Sequence, residues 1–324
     1  MDLMTYSKRD FARLGWALLT MAAVGTGAQY LLSFLFSLAA RVDPRLYSAS
    51  WPMWVMTFVP IYLAAMPAGI LLLRRIHRDE CMRTPMPLGH FGILLLISFP
   101  ILYGGNLLGT LLSLILSGGA AENALLEYVN DSPLLIGIMA VLIAPVAEEY
   151  LFRKQIIDRI GRYGEVTGIL VSALTFALFH MNLFQFFYAF GLGILLAYAY
   201  TRTRMLRYSV ALHMIINFMG SVLAPWILSL VDMGTLEAAA SGTAAAKTLL
   251  AALPGMMVYM AYSALLMMLS VAGFVLLILR WKKRVLFPAP AELPAGCRAK
   301  TVLCSVGMIL YILFCLCFTV LALL

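Results

Sequence analysis

Four polar features lie inside long apolar runs of this sequence, where ionisable side chains are costly and therefore indicate function. The first is a pair of adjacent glutamates, Glu148 and Glu149, at the end of an apolar run. The others are His180, His213 and Asn217, each in a later apolar run. Together they offer carboxylate bases, two imidazoles and a side-chain amide.

These residue types suit the hydrolysis of a peptide bond by an activated water molecule. A glutamate in apolar surroundings can accept a proton from water, and a histidine across the pocket can hold the same water. A second histidine and an asparagine amide can donate to the oxygen that becomes negative when a carbonyl is attacked. No cysteine or serine lies in a recognisable nucleophile motif.

The spacing within "APVAEEYLFR" (144–153) separates the roles of the two glutamates. Glu149 and Arg153 are four residues apart, so they can form an ion pair on one helix face. Glu148 points about 100° away from Glu149 and is left free. Pro145 has no N–H, so it frees a backbone carbonyl one turn earlier and can kink the helix beside the carboxylates.

Three motifs in order resemble those of the CPBP intramembrane protease family, also called the ABI or CAAX-protease family. The stretches "EEYLFR" (148–153), "FALFH" (176–180) and "HMIIN" (213–217) fit its patterns EExxxR, FxxxH and HxxxN. The resemblance covers about 133–220. It implies two catalytic pairs and one supporting pair: Glu148 with His180 on the water, His213 with Asn217 on the oxyanion, and Glu149 with Arg153 in support.

A zinc ion is an open alternative. Glu148, His180 and His213 can supply three zinc ligands, with water as the fourth. The sequence has no HExxH motif, and the family was first described as metalloproteases and later as glutamate-dependent. We favour water activated by Glu148 without a cofactor and keep zinc as the alternative.

Composition assigns the chain to a membrane, since its 324 residues are 63% hydrophobic and 12% charged. A soluble protein of this length cannot bury so much apolar surface. Nine uncharged stretches are candidate spans: 14–40, 51–73, 91–117, 134–152, 166–181, 183–200, 208–231, 249–279 and 301–324. We therefore expect an all-α polytopic membrane bundle of about eight or nine transmembrane helices. The fifth and sixth stretches divide one apolar run at "HMN" (180–182), and we interpret the last as a peripheral helix after a proline-rich linker (287–298).

The charge distribution predicts the orientation and the partners. The net charge is +8, but the basic residues form short clusters between apolar runs, which argues against nucleic acid. With nine spans and a cytosolic N-terminus, nearly all of the 23 Lys and Arg face the cytosol, as the positive-inside rule expects. We expect an integral protein of a bacterial plasma membrane that acts on a peptide or membrane-protein substrate within the lipid bilayer. The five cysteines lack CxxC or zinc-finger spacing and are expected to be free thiols.

The expected organisation is a protease core at 133–224 between N-terminal helices (1–132) and C-terminal helices (225–324). The leading hypothesis is an intramembrane endopeptidase. The alternatives are a non-catalytic membrane scaffold or regulator with the same fold, and a proton-coupled transporter that uses the paired glutamates as a relay. For Asn217, a role in joining helices also stays open, and Gly105 with Gly109 predicts close helix packing.

Overall fold

The computed structural model describes residues 3–48, 51–243 and 245–324, and these contain helices but no β-strand. The helices, in chain order, are α1 (Leu3–Val42), α2 (Trp51–Leu73), α3 (Leu88–Leu116), α4 (Leu125–Asp131), α5 (Pro133–Tyr163), α6 (Glu165–Phe179), α7 (Leu183–Thr203), α8 (Leu206–Leu228), α9 (Met233–Ala240), α10 (Ala246–Trp281), α11 (Ala295–Leu303) and α12 (Val306–Leu321). A short 3₁₀ turn, Pro44–Ser48, follows α1.

Among the described residues, seven helices are long and apolar enough to cross a membrane: α1, α2, α3, α5, α7, α8 and α10. The pair α11 and α12, bent by 66°, passes the same test as one broken span and raises the number to eight. The all-α membrane bundle is therefore confirmed. The fifth expected span, 166–181, is corrected to the 15-residue helix α6, whose length of about 22 Å is less than the about 30 Å of hydrocarbon.

Helices α6 and α7 form the hairpin that carries the first histidine. Helix α6 ends at Phe179, Met181 adopts a left-handed conformation with φ of 46°, and α7 begins at Leu183. Asn182 caps α7, because its side chain accepts a hydrogen bond from the backbone N–H of Phe184 at 2.9 Å. The expected break at 180–182 is thus confirmed.

Small residues let α3 approach α7 closely. A Cβ atom added at Gly105 would lie 2.5 Å from the Cα of Tyr188, and one added at Gly109 would lie 2.7 Å from the carbonyl oxygen of Phe184. Real Cβ atoms are not found at such distances from backbone atoms, so both positions require glycine. The close packing predicted from the Gly105–Gly109 spacing is confirmed.

Helix α12 packs one face against α1 and α6 and leaves another face exposed at Ile309, Leu313 and Leu316. It crosses α1 so closely that a Cβ at Gly15 would lie 2.2 Å from the backbone nitrogen of Met308. Tyr311 is fully buried, and its hydroxyl donates to the backbone carbonyl of Thr175 in α6 at 2.8 Å.

The proline-rich linker between α10 and α11 lies against the turn that joins α5 to α6. Three of its backbone N–H groups donate to that turn: Phe287 to the Glu165 carboxylate at 2.8 Å, Ala291 to the Arg162 carbonyl at 3.0 Å, and Leu293 to the Tyr163 carbonyl at 3.1 Å. The Leu293 side chain is fully buried. The linker therefore connects the C-terminal helices to the hairpin of α6 and α7.

Candidate active site

Helix α5 is irregular on both sides of the two glutamates. The α-helical turn Ala144–Glu149 lies between two π-helical segments, Gly137–Ile143 and Tyr150–Ile157. In a π-helix the hydrogen bonds close over five residues instead of four, and such turns are frequent at functional sites. The wider turns change the phase of the helix, so side-chain directions along α5 do not follow a single 100° rotation.

Pro145 explains a contact between α5 and α8. In the π-helical register before it, the N–H of Ala144 donates to the carbonyl of Met139, so the next N–H, at position 145, would donate to Ala140. Proline has no N–H, and the Asn217 side-chain amide donates to the Ala140 carbonyl at 2.8 Å instead. The freed carbonyl predicted from Pro145 is thus satisfied by a residue of the third motif.

This bond determines where the Asn217 side chain lies. One of its two amide hydrogens is used between helices, and the second stays available as a donor. Within the described residues, no hydrogen bond joins Asn217 to Glu148 or His213. Among the described residues, the side-chain hydrogen bond of Asn217 therefore goes to the α5 backbone and not to another predicted catalytic side chain.

Glu149 and Arg153 form the ion pair predicted from their spacing. Both side chains are 0% exposed, and the Arg153 Nε lies 3.1 Å from the Glu149 Oε2. Neither of these two atoms has an aligned hydrogen-bond partner among the described residues, so the attraction is Coulombic rather than directional. The guanidinium also donates to the Ser172 Oγ at 3.3 Å and lies 4.6 Å from the ring centre of Phe176. Arg153 therefore ties α5 to α6.

His213 lies between the two glutamates. Its Nδ1 is 3.1 Å from the Glu149 Oε1, and its Nε2 is 3.8 Å from the Glu148 Oε2. Since an ionised carboxylate only accepts hydrogen bonds, Nδ1 is the donor to Glu149. The side chains of His213 and Glu148 are only 9% and 12% exposed. The Nε2 of His213 therefore faces Glu148, the carboxylate that is not paired with Arg153.

His180 is held in one tautomer by its own helix. Its Nδ1 lies 2.8 Å from the Phe176 carbonyl oxygen, which can only accept, so the neutral ring carries its proton on Nδ1 and leaves Nε2 as an acceptor. The Phe176 ring packs edge-to-face against His180 at 4.8 Å and against His213 at 5.8 Å. The predicted packing of Phe176 on His180 is confirmed, and the same ring also packs against His213.

The three side chains considered as zinc ligands are not assembled into a metal site. Among the described residues, no group of three or more His, Cys, Asp or Glu side chains is placed to hold a metal ion. The Nε2 of His213 and the Oε2 of Glu148 face each other at 3.8 Å, and the rings of His180 and His213 each pack edge-on against Phe176. As placed here, the donor set does not fit a zinc ion.

One residue near Glu148 escaped the sequence reasoning. Tyr62, in the π-helical segment Pro60–Ala65 of α2, lies near Glu148. Its ring stacks on Phe58 at 5.8 Å, and Phe58 stacks on Trp54 at 5.5 Å. The four-residue spacing of these aromatics is visible in the sequence as one helix face, but nothing local shows that this face meets Glu148.

The middle of the chain is similar to a known protein family. Residues 130–219 match the family model described as "Type II CAAX prenyl endopeptidase Rce1-like". The matched segment is less than a third of the chain and contains all three motifs. No curated protein and no solved structure matches this sequence. The resemblance to the CPBP, or CAAX-protease, family is confirmed, and it implies a protease in a membrane environment.

Proposed function

We propose that this chain, whose segment 130–219 matches the family model of a CAAX prenyl endopeptidase, is an intramembrane endopeptidase that activates water with Glu148. One observation supports this most. The Glu148 carboxylate faces the His213 imidazole at 3.8 Å, with both side chains largely buried, while the neighbouring Glu149 is occupied by Arg153. Among the described residues no arginine or lysine forms an ion pair with Glu148, so this carboxylate is available to accept a proton.

Glu148 and His180 hold the attacking water between them. The water donates one hydrogen to the Glu148 carboxylate and the other to the Nε2 of His180, which is an acceptor because Nδ1 is bonded to Phe176. The oxygen lone pair then points at the substrate carbonyl. As the new C–O bond forms, the carbonyl π electrons move to its oxygen and the water proton moves to Glu148. The protonated Glu148 later gives that proton to the leaving amine.

His213 and Asn217 stabilise the negative oxygen of the intermediate. Since Nδ1 of His213 already donates to Glu149, its Nε2 can donate only when the ring carries both protons. The Glu149 carboxylate fixes the orientation of the His213 ring through Nδ1, which gives Glu149 and its partner Arg153 a supporting role. Asn217 contributes the amide hydrogen that is not used on Ala140.

The proposal is tested by replacing Glu148 with Gln, which keeps the shape and removes the base. Purified protein in lipid nanodiscs is given a quenched fluorescent peptide with a prenylated CAAX terminus and, separately, a set of unprenylated peptides. We expect wild-type turnover on at least one peptide and a fall of about 10²- to 10⁴-fold in Glu148→Gln.

Glu122→Gln is the matched control, because Glu122 is exposed in the loop between α3 and α4. Its turnover should equal that of the wild type. Turnover that is unchanged in Glu148→Gln would refute the proposal and favour a non-catalytic scaffold.

Chelation separates the two forms of the mechanism. Because the donor set does not fit a metal as placed, we expect wild-type turnover to survive dialysis against EDTA. Loss of turnover that Zn²⁺ restores would assign the activation of water to a metal instead.

A further inference from the structure

One buried carboxylate near the end of α5 is surrounded by three cationic side chains. The Asp158 side chain is 6% exposed, and its Oδ2 lies 3.1 Å from the Arg78 Nε and 3.5 Å from the Lys154 Nζ. Its Oδ1 lies 3.4 Å from the Arg204 Nη1 and accepts a hydrogen bond from the Tyr200 hydroxyl at 2.8 Å. We call Arg78, Lys154 and Arg204 the basic cluster.

The basic cluster carries more positive charge than Asp158 can neutralise. Three cations face one carboxylate, and among the described residues no other carboxylate forms an ion pair with them. Asp79 pairs instead with Arg162 at 3.1 Å. Glu165 pairs with Arg202. An uncompensated positive charge in partly buried surroundings attracts an anion.

The basic cluster also has N–H groups that are not used within the protein. Arg78 donates from its Nε to Asp158, and its two Nη groups make no hydrogen bond to any described residue. An ammonium has three donors, and Lys154 uses at most one of them on Asp158. Arg159 is a contrast, because its Nε and Nη1 donate to backbone carbonyls at 2.8 and 2.9 Å. Arg159 therefore stabilises the fold, whereas the cluster has donors available for a ligand.

Arg204 occupies a backbone position that usually takes glycine. It directly follows α7, and its φ of 51° and ψ of 26° lie in the left-handed region. Helices commonly end on a glycine in this conformation, because a Cβ atom is unfavourable there. The Arg204 side chain is only 14% exposed and is directed at Asp158. An arginine therefore stands in the cluster despite the backbone strain.

The basic cluster is assembled from three parts of the chain at one end of the bundle. Asp158 lies in the last two turns of α5, and Arg204 follows the last turn of α7; both helices are long and apolar enough to cross a membrane. Arg78 comes from the segment between α2 and α3, where the N–H of Asp79 donates to the Asp158 carbonyl at 2.8 Å. The ends of spanning helices lie among lipid headgroups, and basic pockets between such helices can bind these headgroups.

We propose that the basic cluster binds a phosphate group and that the headgroup of an anionic phospholipid supplies it. The planar guanidinium groups of Arg78 and Arg204 donate to phosphate oxygens, and Lys154 adds a compact positive charge. Asp158 holds the three side chains together from below. Neither glutamate and neither histidine of the candidate active site takes part, so this inference is independent of the proposed function.

The test measures the binding of phosphatidic acid, whose headgroup is a phosphate monoester. The full chain in phosphatidylcholine nanodiscs is titrated with short-chain phosphatidic acid at physiological salt, and the midpoint of thermal unfolding is followed. This midpoint should rise in the wild type. Arg204→Gly, which suits the left-handed backbone, and Arg78→Gln should each weaken the apparent affinity by about tenfold or more, because each removes charge-assisted hydrogen bonds to the phosphate.

Arg207→Gln is the matched control. Arg207 lies three residues beyond Arg204, but its side chain is exposed, packs on the Tyr208 ring and does not contact Asp158. The same charge is removed, and the affinity should change by less than about twofold because salt screens an exposed charge that makes no direct contact. An equal loss of affinity in Arg207→Gln and Arg204→Gly would overturn the inference, since it would show attraction by surface charge alone.

Inorganic phosphate distinguishes the source of the phosphate group. A second titration adds sodium phosphate, against sodium chloride of equal ionic strength, to the protein in phosphatidylcholine nanodiscs. Stabilisation by phosphatidic acid alone supports a lipid headgroup. Equal stabilisation by inorganic phosphate that is weakened in Arg204→Gly supports the phosphate site and overturns the lipid as its source.

Two results would overturn the site itself. One is a wild type whose unfolding midpoint responds to neither phosphatidic acid nor inorganic phosphate. The other is an affinity in Arg204→Gly and Arg78→Gln that equals that of the wild type. If one of these variants does not fold, the other decides, because they alter different parts of the chain.

Discussion

Removing the positive charge of Arg153 should strongly destabilise the protein. Arg153 and Glu149 are both 0% exposed and lie 3.1 Å apart, so Arg153→Met leaves a buried carboxylate without its cation. Breaking a buried pair by removing one partner costs about 3–5 kcal/mol of unfolding free energy. His213 also contacts Glu149 at 3.1 Å and partly compensates, so we expect the lower end, about 3 kcal/mol.

A double-mutant cycle separates the pair from the packing of the side chains. In Glu149→Gln/Arg153→Met both charges are gone, so the double variant should be more stable than Arg153→Met alone. The matched surface control is Arg45→Met, because Arg45 pairs with Asp43 while its side chain is 89% exposed. This control should not change stability measurably.

The assay is reversible unfolding in mixed micelles with increasing SDS, followed by circular dichroism. The reasoning is refuted if Arg153→Met lies within about 1 kcal/mol of the wild type and the double variant is no more stable than it. That result would mean that Glu149 is not a buried anion paired with Arg153.

Two further predictions use the same unfolding assay. Gly105→Ala places a methyl group 2.5 Å from a backbone atom of α7 and should lower the free energy of unfolding by about 1–3 kcal/mol. Gly104→Ala is the control, because nothing lies within 4 Å of the added methyl group, and it should leave the stability unchanged or raise it. The opposite order of stabilities would contradict the packing of α3 on α7. Tyr311→Phe removes the hydroxyl that donates to Thr175 and should lower the free energy of unfolding by about 1 kcal/mol. Tyr30→Phe is the control, because Tyr30 is 65% exposed, and it should leave the stability unchanged. Equal losses of stability in the two variants would show that the buried hydrogen bond contributes nothing.

Contacts within one helix or one turn could be predicted from the sequence. The Glu149–Arg153 pair and the packing of Phe176 on His180 both follow from side chains four residues apart on a helix. The break after Phe179 follows from polar residues that interrupt an apolar run. These predictions needed only the period of the helix, which local sequence determines.

Contacts between helices could not be predicted, because they depend on helix phase and packing. The π-helical segments of α5 change the phase of the helix around Glu148, and no local residue pattern predicted these segments. Pro145 predicted a free carbonyl, but its occupant, Asn217, comes from a helix far along the chain. Tyr62 was missed for the same reason, since its position against Glu148 is set by how α2 packs on α5.

The contact between the proline-rich linker and the turn before α6 also bears on how the protein is made. A ribosome delivers the glutamates and both histidines well before the segment that contains Leu293, whose N–H bonds to the carbonyl of Tyr163. Tyr311, whose hydroxyl donates to the Thr175 carbonyl of α6, is synthesised later still. The hairpin that carries His180 therefore obtains these supports only after residues 293 and 311 have been synthesised, so a nascent chain contains every proposed catalytic side chain before these contacts can form.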